Sequence, residues 1–245
     1  MLFKREESMY KKEYYIGSND VDRFLELKLS SFFKLMQDIA TEHAEVLDIG
    51  KSQTIDKGLY WVITRIELDI IKMPKYLETV VLKTYPGDDL KFIFPRYFQL
   101  EDLKGHVLIR ASSTWMVLNK ESHRPSLNPF NGKRIPPEHY EGELNMPSKC
   151  ISSDVSLVET RKVRYSDVDL NGHLNNTKYI DYILDVHDSE FYKKNRISHF
   201  VINYDKELMD NNLFNLYSNS SNPEYIKGEI DSATAFEVNI AYQNR

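Results

Sequence analysis

The densest polar segment of the chain is Ser166-Asp167-Val168-Asp169-Leu170-Asn171-Gly172-His173-Leu174-Asn175-Asn176. It falls between a strand-like run and a helix-like run, a place where a scaffold presents reactive groups on a loop. Asp169, Asn171 and His173 alternate, so an extended turn points all three the same way. Histidine and carboxylates are the usual proton carriers of hydrolysis. The first N–H groups of the following helix, from His173 and Leu174 onward, are expected to lack helical partners and to face developing negative charge. Asp, Asn and Gly before a helix serve equally well as turn and cap residues, so this segment alone leaves capping and catalysis both open.

The elements that must position the segment are legible around it. The first half opens with a strand, Met9 to Gly17, and a turn at Ser18-Asn19-Asp20. A helix follows over Leu27 to Leu47, with Leu29, Phe32, Phe33, Met36, Ile39 and Ala40 at helical spacing. Asp48-Ile49-Gly50 ends it. Four runs rich in β-branched and aromatic residues then read as strands: Tyr60–Ile71, Thr79–Tyr85, Phe92–Glu101 and His106–Leu118. From Asn119 to Ser148 the periodicity stops, and Pro125, Pro129, Pro136, Pro137 and Pro147 mark a linker or surface excursion. Beyond it come a strand over Val155–Tyr165 and a helix from Asn175 to Phe191. Strands at Phe200–Lys206, Leu213–Asn219, Tyr225–Ile230 and Phe236–Gln243 complete the chain.

The second half repeats the first. A shift of 147 residues lays Asp20-Val21-Asp22 on Asp167-Val168-Asp169, Leu27 on Leu174, Met36 on Ile183 and Asp38 on Asp185. After the helix the shift is 139, and Val62-Ile63 falls on Val201-Ile202. Two copies of strand, long helix and several strands imply an α+β architecture of two units, each a helix lying on an antiparallel sheet. The two sheets are free to join edge to edge. Asp22 matches Asp169, but Phe24 stands opposite Asn171, Glu26 opposite His173 and Leu68 opposite Glu207. One copy therefore keeps the scaffold, and the other also holds the polar set. The expected division is residues 1–120 as a supporting unit, 121–150 as linker and 151–245 as the active unit.

Composition removes several classes. At 245 residues and a net charge of −5, the chain lacks the basic balance of a general nucleic-acid binder. No apolar run is long enough for a membrane span, and the start MLFKREESMYKKEYY has no apolar leader core. One cysteine, Cys150, leaves no intrachain disulfide, no CxxC pair and no cysteine zinc cluster, and fits a reducing, cytoplasmic setting. The nine glycines make no GxGxxG, P-loop or GxSxG, and the seven histidines make no HExxH.

The stretch DVDLNGHLNNTKYIDYILD resembles the helix-entry motif of acyl-acyl carrier protein thioesterases. The pattern D-x-N-x-H-x-N-N-x-x-Y is matched at Asp169, Asn171, His173, Asn175, Asn176 and Tyr179. LMQDIATEHAEVLDIG, WVITRIELDI and RASSTWMVLNKESHRPS resemble the family's first helix, following strand and exit strand, so the likeness runs from about Tyr14 to Glu207. The resemblance implies two fused hotdog units and hydrolysis of fatty acyl thioesters in fatty acid biosynthesis, with no metal or organic cofactor beyond the phosphopantetheine that the carrier brings. It implies a site of Asp169, Asn171, His173 and, from the stretch Tyr204-Asp205-Lys206-Glu207, Glu207, with the choice of Glu207 or His173 as proton acceptor left open by the letters. A carboxylate in an apolar cleft is expected to have its pKa raised towards the range of a general base. Plant members place a cysteine after that glutamate; here the position is Leu208, which argues against a covalent cysteine route. The acidic carrier protein is the implied partner, with Arg161, Lys162, Arg164, Lys193, Lys194 and Arg196 as the local basic surface. An acyl-CoA thioesterase of the same fold, a non-catalytic acyl-thioester-binding module, and pairing into a homodimer all stay open.

Overall fold

The computed structural model describes residues 9–135, 137 and 145–245. The first half runs β1 (Tyr10–Tyr15), α1 (Leu29–Val46), β2 (Leu59–Ile70), β3 (Thr79–Pro86), β4 (Phe94–Asp102) and β5 (Val107–Asn119). The second runs β6 (Ser156–Lys162), α2 (Asn176–Leu184), α3 (Ser189–Lys194), β7 (Asn195–Tyr204), β8 (Leu213–Ser218), β9 (Glu224–Ile230) and β10 (Ala233–Asn244). Every expected strand forms, within about three residues of its expected ends except β7, which starts at Asn195 and not at Phe200. The strands make one antiparallel sheet in the order β1-β3-β4-β5-β2-β7-β10-β9-β8-β6. Read from its centre outward, the two halves are mirror copies in chain order, so the fold is α+β, two fused hotdog units. They join edge to edge through β2 and β7, with Arg65 opposite Asn203 and Asp69 opposite His199.

The helices supply the buried layer. Leu29, Phe32, Phe33, Met36, Ile39 and Ala40 of α1 are all buried, as their spacing requires. They share one core with Leu68, Leu82, Phe98 and Leu100 of the sheet and with Tyr179, Ile180 and Ile183 of α2. Each large apolar side chain so enclosed contributes about 1.5–3 kcal/mol. The core crosses the seam: the Phe33 ring meets Phe200 edge-on at 5.8 Å.

The helix expected over Asn175–Phe191 is two helices. α2 ends at Leu184, and Asp188 caps α3 by accepting from the Glu190 and Phe191 N–H groups. The break places His187 against Glu224, whose carboxylate is fully buried at the start of β9. The expected linker is also more than a surface excursion. Phe130 and Ile135 are buried against Leu47, Ile49, Phe94 and Val117. Further on, Ile151 N–H donates to Asn239 Oδ1 at 2.7 Å. The part of the linker at 136 and 138–144, like the chain start before residue 9, lies outside the described residues. No helix among the described residues is long and apolar enough to cross a membrane.

The seam carries a titratable clamp. His199 Nδ1 lies 2.7 Å from Asp69 Oδ1 and its Nε2 3.2 Å from Glu67 Oε1, while Glu67 Oε2 accepts from the N–H and hydroxyl of Ser148. Hydrogen bonding to Glu67 is the main cause that raises the His199 pKa, against desolvation, and hydrogen bonding to His199 is the main cause that lowers that of Glu67. The histidine contribution is complete below its unfolded value, about 6.5, and is lost as pH rises through the folded value. The glutamate contribution is complete above about 4.3 and is lost as pH falls through its folded value. The urea midpoint of the wild type should therefore exceed that of His199→Gln by most between those limits, and the gap should close above neutrality. A gap that stays constant with pH would show that the clamp does not titrate.

Candidate active site

The motif loop is built by its own first carboxylate. Asp169 Oδ1 accepts from the Asn171 N–H at 2.8 Å and the His173 N–H at 3.2 Å. The loop closes with Asp169 N–H donating to His173 O, and Gly172 takes the left-handed conformation at φ 83°. The first unit folds the same loop with Phe24 and Glu26 in place of Asn171 and His173. Asp22 Oδ1 accepts from Phe24 and Glu26 N–H at 2.8 and 3.1 Å, and Leu25, the counterpart of Gly172, sits at φ 61°. Asp169 thus holds the backbone that carries Asn171 and His173, and its carboxylate is engaged in doing so. Asp167 is structural in the same way: it accepts from Tyr182 OH at 2.6 Å and Arg164 N–H at 2.9 Å.

His173 and Glu207 come together. His173 Nε2 lies 3.2 Å from Glu207 Oε2. Glu207 is not enclosed in an apolar cleft: its side chain is 37% exposed, and that of His173 is 17% exposed. Glu207 follows β7, and its other oxygen accepts from Tyr60 OH at 3.4 Å. The Asn171 carboxamide has no hydrogen bond among the described residues and faces two cavities.

The expected row of free helix N–H groups is mostly occupied. His173 N–H goes to Asp169, Leu174 N–H to Leu208 O at 2.7 Å, and Asn175 N–H to Asp167 O at 2.8 Å. The Asn175 side chain caps α2 by accepting from Thr177 N–H. Among the described residues, Asn176 N–H is the first amide of α2 with no assigned acceptor, and Asn176 lines both cavities.

The site also draws on the first unit, which the sequence did not reveal. Tyr60 opens β2, and His123 lies in the turn after β5, its Nδ1 3.2 Å from Tyr60 OH. Burial first, then the Glu207 carboxylate, pushes the Tyr60 phenol up to about 12, so it stays a donor at neutral pH. The two cavities meet at Tyr60, Trp61, Asp169, Asn171 and Asn176. One, of about 520 Å³, runs into the first unit between α1 and its sheet, past Phe94 and Trp115. The other, of about 430 Å³, crosses the seam past His123, His173, Tyr204 and Glu207.

The expected basic surface is partly committed elsewhere. Arg161 pairs with Glu159 at 2.8 Å and Asp185 at 3.1 Å and stacks on Tyr182, and Lys193 pairs with Glu190. Cys150 is no nucleophile: its thiol donates to Glu237 O and Val201 O, and burial pushes it up to about 12. Among the described residues no three His, Cys, Asp or Glu side chains converge as a metal site.

Comparison with known proteins places this architecture. The Acyl-ACP thioesterase N-terminal domain family matches residues 7–130, and the Acyl-ACP thioesterase C-terminal domain family matches residues 152–241. The chain belongs to the acyl-acyl carrier protein thioesterase family. It is 26% identical over 223 residues to a chloroplastic palmitoyl-acyl carrier protein thioesterase of Arabidopsis thaliana, covering 81% of this chain and 52% of that protein. It is 25% identical over 214 residues to a chloroplastic dodecanoyl-[acyl-carrier-protein] hydrolase of Cinnamomum camphora, covering 81% of this chain and 56% of that one. The chain thus spans about half the length of these curated relatives. Its fold superposes on the crystal structure of an acyl-ACP thioesterase from Bacteroides thetaiotaomicron with a TM-score of 0.89 at 22% identity, over 97% of this chain and 99% of that one.

Proposed function

We propose that this protein hydrolyses fatty acyl thioesters of acyl carrier protein to free fatty acid and holo-carrier, as a step of fatty acid biosynthesis. The observation that carries the reading is the His173–Glu207 pair, 3.2 Å apart, on the wall of the smaller cavity beside Tyr60 and Asn171, where that cavity meets the larger one. The acyl chain occupies the larger cavity and the phosphopantetheine arm the other. Glu207, directly or through His173, takes a proton from water as the water oxygen attacks the thioester carbonyl. The C–S bond then breaks, and the thiolate receives a proton as the acid leaves. Asn171 orients the water or the carbonyl, and Asn176 N–H at the start of α2 faces the oxyanion. Asp169 is a positioning residue, acting through the loop backbone. The chemistry needs no cofactor of the protein's own. The division into a supporting unit (1–120), a linker (121–150) and a catalytic unit (151–245) is part of the proposal, with Tyr60 and His123 as the first unit's share of the site. So is a cytoplasmic setting, where a lone free thiol stays reduced.

Free-thiol release from a panel of acyl-carrier-protein and acyl-CoA thioesters tests the reading. Turnover on carrier-protein substrates above that on CoA is expected. Faster turnover on CoA would move the carrier assignment, and binding without turnover would make the site an acyl-thioester receptor.

A further inference from the structure

Arg96 breaks the pattern of the strand that carries it. Along β4 the face turned to α1 reads Phe94, Arg96, Phe98 and Leu100, all buried. Period-two alternation demands an apolar residue at the second of these positions. Instead a guanidinium stands there, 8% exposed, on the wall of the larger cavity. Its Nη1 donates to Thr84 Oγ1 at 3.1 Å and meets His43 Nδ1 at 3.0 Å. Neither partner is a carboxylate. Among the described residues no carboxylate pairs with Arg96, and burial alone brings its pKa down to about 10. The carboxylates on the same cavity wall are engaged elsewhere: Glu45 accepts from Lys51 N–H, Asp89 is held by Ile135 N–H and Arg134, and Asp169 holds the motif loop.

A buried cation without a counter-charge is costly and is retained where something else satisfies it. With two of five guanidinium donors used, the rest need acceptors that water or a ligand in the cavity must supply. The register fixes how far this is from the reacting pair. Arg96 lies opposite Ser113, which lies opposite Ile66, whereas Tyr60 starts the same strand β2. Arg96 is therefore about 10 Å across the sheet and about 15–20 Å along it from the Tyr60 position. A chain whose thioester sits at the His173–Glu207 pair reaches Arg96 only with its far end.

We infer that Arg96 is a specificity-determining residue that selects acyl chains bearing an oxygen acceptor, a hydroxyl or a carboxylate, at the end remote from the thioester, and disfavours a plain methyl end that reaches it. A methyl end displaces the water on the guanidinium and offers no acceptor in return, while a terminal oxygen restores a charge-assisted hydrogen bond. The inference rests on the larger cavity being the acyl site, as proposed above.

The test is binding, so that it does not depend on turnover. Acyl-pantetheine analogues with an amide in place of the thioester cannot be hydrolysed. They are prepared in a series of chain lengths, each ending in methyl, hydroxyl or carboxylate, and titrated calorimetrically into wild type, Arg96→Met and Arg96→Lys. At the lengths that reach Arg96, wild type should bind the oxygen-terminated members about tenfold or more tightly than the methyl-terminated one. Arg96→Met should reverse that order and extend the preferred length of methyl-ended chains, while Arg96→Lys should keep the preference for oxygen. Preference for carboxylate over hydroxyl identifies the charged terminus, and equal preference the neutral acceptor. Wild type that binds all three ends alike at every length overturns the inference, whether or not Arg96→Met folds. An Arg96→Met variant that is folded by circular dichroism and keeps the wild-type order overturns it too. Absence of thiol release by the wild type would defeat the hydrolase reading and leave the binding order to decide Arg96.

Discussion

Replacing Glu207 by glutamine should lower kcat by about 10²–10⁴-fold while leaving KM near its wild-type value. Glutamine keeps the size and the acceptor for Tyr60 OH but cannot take a proton. The side chain is 37% exposed and at the edge of the core, so the loss should fall on the chemical step and not on folding. His173→Ala should cost a similar factor, because its Nε2 is the group that faces the carboxylate. If the two act as one unit, the double variant should be little slower than either single one. Full additivity in the logarithm of the rate would instead mean two independent roles. Tyr60→Phe removes the long 3.4 Å hydrogen bond to Glu207 and the 3.2 Å contact with His123 Nδ1, neither of which carries the transferred proton, and should cost less, about fivefold. A Glu207→Gln enzyme with wild-type kcat on acyl-carrier-protein thioesters would remove Glu207 from the mechanism. Stopped-time thiol release across substrate concentrations separates kcat from KM in each case.

The fold and half of the site were readable because their signals are local. Strand runs such as Tyr60–Ile71 carry period-two alternation of β-branched and aromatic residues, and α1 carries an unbroken apolar stripe. The motif loop declares itself because Asp169 must hydrogen-bond to amides two and four residues on, a spacing visible in letters and repeated at Asp22. Tyr60 and His123 left no such mark. Tyr60 reaches Glu207 only because β2 and β7 pair across the seam, His123 meets Tyr60 from the turn after β5, and a tyrosine near the start of a strand is ordinary by itself. The helix break was hidden for a related reason: the stripe Tyr179-Ile180-Ile183 continues into Val186 and Phe191, and the interruption is set by the tertiary contact of His187 with Glu224. Arg96 was the one missed signal that was local, a charge on the apolar register of Phe94, Phe98 and Leu100.

The same buried carboxylate sets the other large effect. Glu224 is 0% exposed; its Oε2 accepts from Tyr242 OH at 2.8 Å and lies 2.8 Å from His187 Nε2, and its Oε1 accepts from Ser218 Oγ. It thereby ties the break between α2 and α3 to β8 and β10. Burial taken alone would raise the Glu224 pKa, but the donors His187, Ser218 and Tyr242 together outweigh it, and the net direction is down. Glu224→Ala leaves the buried Ser218 and Tyr242 hydroxyls and the half-buried His187 without their acceptor, a loss on the order of 3–5 kcal/mol. For a chain of this size that corresponds to a fall of about 6–20 °C in Tm. Because the folded pKa lies below the unfolded one, the carboxylate adds stability above about pH 4.3 and loses it as pH falls through the folded value. Wild type should therefore weaken steeply on acidification below that point, whereas Glu224→Gln, already weakened at neutral pH, should show a shallower slope there. Calorimetric Tm measured from pH 3 to 7 for the three proteins checks both parts. Parallel slopes would mean that the acid sensitivity comes from other carboxylates, and an unchanged neutral Tm in Glu224→Ala would mean that water replaces the lost acceptor at no cost to the junction.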